Sequence, residues 1–495
     1  MAKKKEFRPK ARVPRGFRDR FGAEIERERD MLERITRVYH SFGFDPLETS
    51  AFEYTDALGK FLPDVDRPNN GVFSLQDDDD QWMSLRYDLT APLARFVAEH
   101  YDGLPKPFRR YAVGPVWRNE KPGPGRFRQF TQCDADTVGA PAPHADAEIC
   151  TMFGEAVAAA GVPREEFLVR VSNRKIVDGL FEKLGLTGDE ANETRLTIMR
   201  SMDKFDRLGA EGVALLLGPG RKDESGDFTD GAGLEDPAIE TVLSFLNTSE
   251  GLSEDAPKES LTRMEHVVGG TAAGDEGLAE LFAIADGVPA FDQLPVFFDC
   301  AVIRGLEYYT GPIFEAELTF TVEDDKGRPV RFGSIGGGGR YDGLVKRFKG
   351  VEVPAVGVSV GVSRLLAALE AREGGVQSPS GPVVVLVYEK DQMAAYQAMA
   401  AELRSAGVRA EVYVGGSNVG KQLKYADKRM APVAVICGED ERAKGEVTVK
   451  DLVLGAELSK SIEDNAEWRE AQPAQFSVPR ADLVRAVQDV LARTR

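Results

Sequence analysis

Residues 113–138 read VGPVWRNEKPGPGRFRQFTQCDADTV. Two strand-like runs flank Pro122-Gly123-Pro124-Gly125, so residues 110–137 read as a hairpin. Side chains alternate faces along a strand. Arg118 and Glu120 therefore share a face on the first run; Arg126, Arg128, Phe130, Gln132, Asp134 and Asp136 share one on the second. Pairing the runs brings the two sets together. A sheet face buried in a core would carry Val, Ile and Leu instead. A plain solvated face stays open on this pattern alone. Yet arginines interleaved with a carboxamide and carboxylates suit a ligand that carries phosphate and an amine. Arg makes bidentate phosphate contacts, and Asp accepts from an ammonium.

Three further stretches share this character. Arg304-Gly305-Leu306-Glu307-Tyr308-Tyr309-Thr310-Gly311 joins a cation to two stackable phenols. Gly336 to Gly339 are consecutive glycines followed by Arg340-Tyr341-Asp342-Gly343-Leu344. Such a run lets backbone approach a ligand closely, although a tight turn is the plainer reading. Residues 355–372 pass from the strand-like AVGVSVGV into the helix-like SRLLAALEAR, with Arg364 at the helix start.

The surrounding chain supplies the frame. Residues 24–42 place Met31, Leu32, Ile35, Val38, Tyr39 and Phe42 on one helical stripe, closed by Gly43. Asp77 to Asp80 lie between apolar runs and read as a solvated hairpin loop, since consecutive carboxylates repel and diverge. Thr90 is placed to cap a helix reaching Tyr101, with Pro92 in its first turn. Residues 185–290 mix helical patterns with Gly- and acid-rich loops, and strand-like runs follow at 313–322 and 330–335. Residues 374–382 are a linker by composition. Beyond it VVVLVY, AEVYV and APVAVICG alternate with helical stretches, which marks an α/β unit with at least partly parallel strands.

Composition narrows the class. The chain has 495 residues, and at roughly 150 residues per domain that predicts about three domains. Hydrophobic residues are 42% and charged residues 29%, an ordinary globular balance. No apolar run is long enough for a membrane span. The basic first twenty residues lead into no apolar stretch, so a secretory signal is not expected. Cys133, Cys150, Cys300 and Cys437 form no CxxC pair. That argues against a zinc ribbon or a disulfide framework and for a reducing, cytoplasmic setting. The net charge of -18 is uneven. Residues 222–260 hold eleven acidic against two basic residues, whereas residues 1–20 hold nine basic against two acidic. Global charge thus leaves a local contact with a polyanion open.

Two motif matches are discounted. Gly357-Val358-Ser359-Val360-Gly361 has the form of a nucleophile elbow, but His40, His100, His144 and His266 all precede Ser359. An α/β-hydrolase needs its His after the Ser. Gly415 to Lys421 has the form of a P-loop, but Gln422 follows where a Ser or Thr should meet Mg²⁺.

Taken in order, these stretches resemble the signatures of the histidyl-tRNA synthetases, a family of class II aminoacyl-tRNA synthetases. Arg304 to Gly311 and Gly338 to Leu344 are similar to the two segments peculiar to the histidine enzymes. Gly114 to Arg118 with Gly125 to Gln132 resembles motif 2, and Ala355 to Leu365 resembles motif 3. Leu85-Arg86-Tyr87-Asp88-Leu89-Thr90 resembles the amino-acid-binding segment in a form also seen in eukaryotic enzymes. Residues 421–428 and 433–441 resemble the family's anticodon-binding domain.

The resemblance implies an α+β fold: a six-stranded antiparallel catalytic sheet with flanking helices, a helical insertion, and a C-terminal α/β anticodon-binding domain. The implied boundaries are 1–185 for the first catalytic part with motifs 1 and 2, and 186–290 for the insertion. Residues 291–373 would be the second catalytic part, with the histidine signatures and motif 3; residues 382–495 would be the anticodon-binding domain with a C-terminal tail. The implied substrates and partners are L-histidine, ATP, tRNA(His) and a second copy of the chain. Mg²⁺ would accompany the ATP, with no zinc and no membrane. Arg118 and Arg304 would be the catalytic cations, Arg118 on the α-phosphate and Arg304 between it and the reacting carboxylate. Glu120 would take the adenine amino group, Phe130 would stack on adenine, and Arg126 and Arg364 would complete the ATP site. Gln132, Asp136 and Thr90 would take the α-amino group of histidine. Asp88 and Tyr309 would read the imidazole beside Leu89, with Tyr308 and Tyr341 closing the pocket.

There are departures from the family pattern. The Pro of motif 1 is Ser50 here, ahead of Glu53; Ser363 stands where Glu is usual; and Lys121-Pro122-Gly123-Pro124 lacks the polar side chains common in that loop. The last predicts less dependence on the extra 5′ nucleotide of histidine tRNAs, because base edges are read by side-chain donors and acceptors. The chief rival is a synthetase-like, non-catalytic regulatory subunit of histidine biosynthesis. It would lack residues 382–460 and erode the arginines. A pure RNA-binding module is the second rival.

Overall fold

The computed structural model describes residues 9–61, 71–122, 127–222, 226–252, 257–303, 308–323, 327–372, 381–459 and 474–493. The chain divides into two compact units, residues 1–374 and 375–495.

The first unit is built on one mixed sheet of eight strands. Their spatial order is Asp45–Pro46, Phe108–Trp117, Gln129–Val138, Ala355–Val360, Ser334–Arg340, Pro312–Leu318, Phe167–Asn173 and Val296–Phe298. The six inner strands are mutually antiparallel, and the two short edge strands pair parallel to their neighbours. This is the expected antiparallel sheet, extended by one strand at each edge. The expected hairpin is its longest element, with Arg110 opposite Asp136 and Val116 opposite Phe130. The strand-like run at 313–322 is interrupted: Pro312–Leu318 joins the large sheet, whereas Thr321–Glu323 pairs only with Pro329–Arg331.

Period-two alternation gives the sheet two chemically different faces. Along Ala355–Val360, Val356, Val358 and Val360 join the main core, while Gly357 and Ser359 point the other way. Along Gln129–Val138, Cys133 and Ala135 lie in that core, while Gln132, Asp134 and Asp136 face away. Helices Ala23–Ser41, His144–Ala159 and Val362–Arg372 cover the core face. The first buries Glu28, Met31, Ile35 and Tyr39, spaced three to four residues apart as an amphipathic helix requires. Its end matches the Gly43 reading, with the Gly43 amide donating to the His40 carbonyl at φ 81°.

Arg340 belongs to the core face. Its guanidinium is 2% exposed and donates to both oxygens of Asp146 on the helix His144–Ala159, at 3.0 and 2.9 Å, and to Asp342 at 3.1 Å. Burial pushes the Asp146 carboxyl up to about 6, against the stabilising pull of Arg340.

Residues 192–287 form five helices and one short strand pair, Gly220–Lys222 with Phe228–Asp230. The last helix, Ala272–Gly287, lies against Arg174–Lys183, where a Cβ on Gly179 would meet the Gly274 Cα at 2.6 Å. Glycine is what allows this close packing. Asp77 to Asp80 turn a hairpin between Ser74–Gln76 and Trp82–Leu85, with Asp77 Oδ1 accepting from the Asp79 and Gln81 amides.

The second unit has a five-stranded sheet ordered Ala410–Val412, Val383–Val385, Val433–Ile436, Glu446–Asp451 and Gln475–Pro479. The first three strands are parallel and the last two antiparallel. Val383, Val385, Val433 and Val435 pack on one side; Val384, Leu386, Ala434 and Ile436 pack on the other. Burial on both faces explains the unbroken apolar runs. At the P-loop-like stretch, Asn418 caps the helix Val419–Lys428. Gln422 is 2% exposed and bonds both the amide and the carbonyl of Val387. Gln422 is thus a backbone strap rather than a failed Mg²⁺ ligand.

Removing one partner of a buried ion pair costs about 3–5 kcal/mol. Arg340→Met should lower stability by that order in urea unfolding at neutral pH. The deficit should be largest at high pH and shrink as pH falls towards about 6, because loss of Arg340 raises the Asp146 carboxyl further and protonation then neutralises the stranded group. The double variant Arg340→Met/Asp146→Leu should recover most of the loss.

Candidate functional site

The non-core face of the sheet is polar where Phe108–Trp117, Gln129–Val138 and Ala355–Val360 lie side by side. At its centre Arg110 Nη2 lies 2.8 Å from Asp136 Oδ2, with the two side chains 1% and 3% exposed. The Tyr341 hydroxyl donates to Asp136 Oδ1, and Arg110 Nη2 also donates to the Leu89 carbonyl at 2.9 Å. Gly357 sits opposite Asp136 in the ladder. A Cβ there would lie 2.0 Å from Asp136 Oδ1, so only glycine leaves room for the carboxylate. Gly339 does the same for Tyr309, whose ring would meet an added Cβ at 2.7 Å. Gly114 makes way for Arg86, whose Nη2 would lie 2.4 Å from a Cβ.

The expected histidine-site residues surround this centre. Asp88 precedes the helix Thr90–His100, and its Oδ1 accepts from the Thr90 and Ala91 amides at 3.2 and 3.0 Å. The cap of that helix is therefore Asp88, not Thr90. A carboxylate complements the helix N-terminus better than a hydroxyl. Burial raises the Asp88 carboxyl, against the amides and Arg118. Leu89 packs its side chain against Ala112, Val116 and Phe130, so only its backbone faces polar partners. Tyr308 stacks edge-on to Tyr309 at 5.2 Å and tilts over Tyr341 at 5.4 Å. Gln132 Nε2 donates to the Ser359 hydroxyl at 2.7 Å. Ser359 thus lies inside a strand as a hydrogen-bond partner, not on a nucleophile elbow. Burial pushes the Asp134 carboxyl up to about 7; Arg110 opposes this and Asp136 adds to it.

The expected ATP-side residues lie further along the hairpin. Arg118 donates from Nε to the Tyr87 carbonyl at 3.2 Å, and its guanidinium carbon is 5.1 Å from the Phe130 ring centroid. Glu120 is exposed beyond the strand end. Arg364 lies in the first turn of Val362–Arg372 and donates to the Phe332 carbonyl at 2.7 Å. Arg128 stands just before its strand, where its carbonyl still accepts from the Arg118 amide at 2.9 Å; its side chain donates to the Glu120 carbonyl at 3.0 Å, and its guanidinium carbon lies 5.9 Å from the Phe73 ring centroid. Arg126 and Arg304 lie outside the described residues, as do Gly123 to Gly125 of the motif 2 loop.

Sequence reasoning missed Arg110 and Arg86. Arg110 could have been found by extending the hairpin register, which sets it opposite Asp136. Arg86 carries no local signal. Its guanidinium reaches the Pro115 and Thr49 carbonyls at 3.1 and 2.8 Å and the Ser50 carbonyl at 3.3 Å. It thereby ties down the segment where Ser50 replaces the expected Pro. Among the described residues, no cluster of three His, Cys, Asp or Glu side chains could hold a metal ion.

A profile of the histidyl-tRNA synthetases matches residues 16–365, and one of the anticodon binding domain matches residues 382–488. The chain belongs to the histidyl-tRNA synthetase family. The histidine--tRNA ligase of Dinoroseobacter shibae is 56% identical over 501 residues, covering 100% of each chain. That of Rhizobium leguminosarum bv. trifolii is 56% identical over 99% of this chain and 96% of its own. The crystal structure of histidyl-tRNA synthetase from Nostoc sp. superposes with a TM-score of 0.73 at 28% identity, covering 98% and 100% of the two chains. A Bacillus halodurans structure described as an ATP phosphoribosyltransferase regulatory subunit/histidyl-tRNA synthetase has TM-score 0.65 at 20% identity and shares the fold alone. The family's class II sheet is thus the frame in which Arg110, Asp136 and Gly357 sit.

Gly357→Ala should displace the Asp136 carboxylate from Arg110 and Tyr341. It should lower the urea midpoint by about 2 kcal/mol or more in stability, as overpacking of fixed backbone does. Gly343→Ala, where an added Cβ meets nothing within 4 Å, is the control and should stay within about 0.5 kcal/mol of the parent.

Proposed function

We infer that the chain ligates L-histidine to its cognate tRNA in two steps, first forming histidyl-adenylate from ATP and then transferring the histidyl group to the 3′-terminal adenosine. The carrying observation is a single sheet face that sets Gln132, Asp134 and Asp136 beside Tyr308, Tyr309 and Tyr341, with Arg118 and Phe130 further along the same hairpin. One end offers acceptors and phenols for a small ligand bearing an ammonium and an imidazole; the other offers a guanidinium and a ring for a nucleotide. A regulatory-subunit reading fits poorly, because residues 382–488 match an anticodon binding domain.

In the first step the histidine carboxylate attacks the α-phosphorus in line and pyrophosphate leaves. Negative charge spreads over phosphoryl oxygens, so positioned cations do most of the work. Arg118 is assigned to the α-phosphate, and Arg304 to the α-phosphate and the reacting carboxylate. Arg126 and Arg364 are assigned to the remaining phosphates, Glu120 to the adenine amino group and Phe130 to the adenine face. Mg²⁺ enters with the triphosphate and neutralises part of its charge. Gln132, Asp136 and Thr90 are assigned to the α-amino group, and Asp88 and Tyr309 to the two imidazole nitrogens. The Leu89 backbone lies beside them, and Tyr308 and Tyr341 close the pocket. In the second step a ribose hydroxyl of the terminal adenosine attacks the acyl carbon of the adenylate, the acyl–phosphate bond breaks, and AMP leaves as the hydroxyl proton passes to solvent. Neither step needs a protein nucleophile. An isostere that cannot bond both imidazole nitrogens leaves buried polar groups unpaired, which rejects it strongly.

Residues 382–495 are assigned to tRNA anticodon binding, residues 186–290 to an insertion, and 1–185 with 291–373 to catalysis. A cytoplasmic homodimer accords with two features. Among the described residues no helix is long and apolar enough to cross a membrane. The small sheet Phe52–Tyr54, Trp82–Leu85, Ser74–Gln76 is also inverted. Its buried face holds Glu53, Ser74 and Ser84 in polar contacts, while Phe52, Tyr54 and Leu75 are 38%, 58% and 44% exposed on the other. A second copy of the chain covers such a face without cost to solubility.

Histidine-dependent exchange of pyrophosphate into ATP tests this reading, and its absence would overturn it. Arg304→Ala should slow single-turnover adenylate formation by about a hundredfold or more, corresponding to roughly 3 kcal/mol of lost transition-state stabilisation. A rate within about threefold of the parent would refute that assignment. Deleting residues 375–495 should raise KM for tRNA far more than KM for ATP or histidine; equal losses in all three would place the segment in the catalytic machinery.

A further inference from the structure

Three buried carboxylates serve one pocket, and they are not equally committed. Asp88 caps a helix through Oδ1. Asp136 has its charge matched by Arg110 and its Oδ1 held by Tyr341. Asp134 has neither arrangement. It is 2% exposed, and among the described residues its Oδ1 has no hydrogen-bond partner. The same is true of Gln132 Oε1, and of Asp136 Oδ2, which has the Arg110 guanidinium 2.8 Å away as an ion pair but accepts no hydrogen bond. Leaving such atoms buried and unmade costs about 1–3 kcal/mol each, so native structures rarely keep them without a reason.

The Asp134 and Gln132 side chains are held by one hydroxyl, each through its other polar atom. Gln132 Nε2 donates to Ser359 Oγ at 2.7 Å, which turns the other end of the amide, Oε1, away from Ser359. Ser359 lies directly opposite Asp134 in the ladder and bonds its carboxylate. Gln132 and Asp134 are two residues apart on one strand, so their free oxygens project from the same face. Two fixed acceptors side by side, one of them anionic, match a primary ammonium, which carries three donors.

We propose that Asp134 is a further specificity residue of the amino-acid pocket, receiving the substrate's α-ammonium on Oδ1 together with Gln132 Oε1. This rests on the histidine reading above and adds a residue to it. The charged and titratable groups around Asp134 among the described residues are Arg110 on one neighbouring strand, Asp136 and Cys133 on its own, Asp88 before the helix Thr90–His100, Arg86, Tyr309, and Tyr39 of the first helix. Arg110 is paired with Asp136, and among the described residues Asp134 has no ion pair of its own. In the empty site a proton neutralises Asp134, since burial pushes its carboxyl up to about 7. An arriving ammonium supplies the positive charge instead and sends the proton to solvent.

The test uses the full chain and Asp134→Asn, an isostere that keeps the hydrogen bond to Ser359 and removes the charge. The probes are histidinol, which has the amine, and 3-(imidazol-4-yl)propionate, which lacks it. Calorimetry should show histidinol weakened by at least about tenfold in the variant, as expected for a lost bond to a charged group, with the propionate barely changed. Binding of histidinol near pH 7 should release protons from the parent and not from the variant, read from buffers of different ionisation enthalpy. A raised carboxyl binds its proton more tightly folded than unfolded, so the parent loses stability as pH rises towards about 7. Ligand-free Asp134→Asn should accordingly melt no lower than the parent at pH values above that. Unchanged histidinol affinity overturns the proposal, and so does equal weakening of both probes, which marks a merely structural role. If Asp134→Asn fails to fold, Ser359→Ala must show the same selective loss for histidinol, and equal loss for both probes again overturns it. If the parent itself binds neither histidinol nor histidine, the histidine reading fails and takes this one with it.

Discussion

The pairing of Arg110 with Asp136 is the constraint on which the site depends. Two charges taken out of water roughly break even when paired and cost several kcal/mol when not. Everything near the pair serves to keep it whole. Gly357 leaves the volume that the carboxylate occupies, and Tyr341 supplies a donor to its second oxygen. The Leu89 carbonyl takes a bond from the guanidinium, which fixes the chain just before the helix Thr90–His100. Asp88 is thereby set at a helix start, where amides stabilise its charge. One ion pair thus aligns two strands, a helix terminus and a phenol.

The sheet manages this because its two faces are chemically independent. In Ala355–Val360 every second residue is valine and lies in the core, so hydrophobic burial on one face holds the strand in place. The other residues are then free to be glycine and serine. The four-glycine run in Ser334–Arg340 follows the same logic: Gly339 yields to Tyr309, and Gly336, on the core side, yields to Phe153, which would meet a Cβ at 3.0 Å. The glycines are cut to the shape of neighbouring side chains as well as to a ligand.

Legibility in the sequence followed these physics. The hairpin was readable because its alternation is strict and its turn carries Pro and Gly, and the second unit because its apolar runs are continuous. The eight-strand order was not readable. It pairs Gln129–Val138 with Ala355–Val360, more than two hundred residues away, and no local pattern encodes that register. Resemblance supplied the antiparallel sheet that spacing could not. Within the site, Gln132, Asp134 and Asp136 were legible as one face, while Arg110 fell just outside the stretch that drew attention. Thr90 was misjudged as a cap because the stronger capping group, Asp88, lies two residues earlier and reaches forward.

The departure at Ser363 shows how a short side chain is accommodated where a glutamate is usual. The Thr131 amide donates to the Ser363 hydroxyl at 3.2 Å, and the Thr131 hydroxyl donates to Glu28 Oε1 at 3.2 Å. Glu28 comes from the first helix, is 6% exposed, and is paired on its other oxygen with Arg20. A buried carboxylate therefore does stand close to the start of Val362–Arg372, but it is delivered by a different element. Glu28 heads the buried helix face that continues apolar through Met31, Ile35 and Tyr39, which is costly unless every oxygen is bonded. Here both are. The chain Arg20–Glu28–Thr131–Ser363 ties the first helix, the strand bearing Gln132 and Asp134, and the helix bearing Arg364 into one polar seam. Movement of any one of these elements breaks a hydrogen bond in the seam, so the seam keeps the strand bearing Gln132 and Asp134 in register with the helix bearing Arg364.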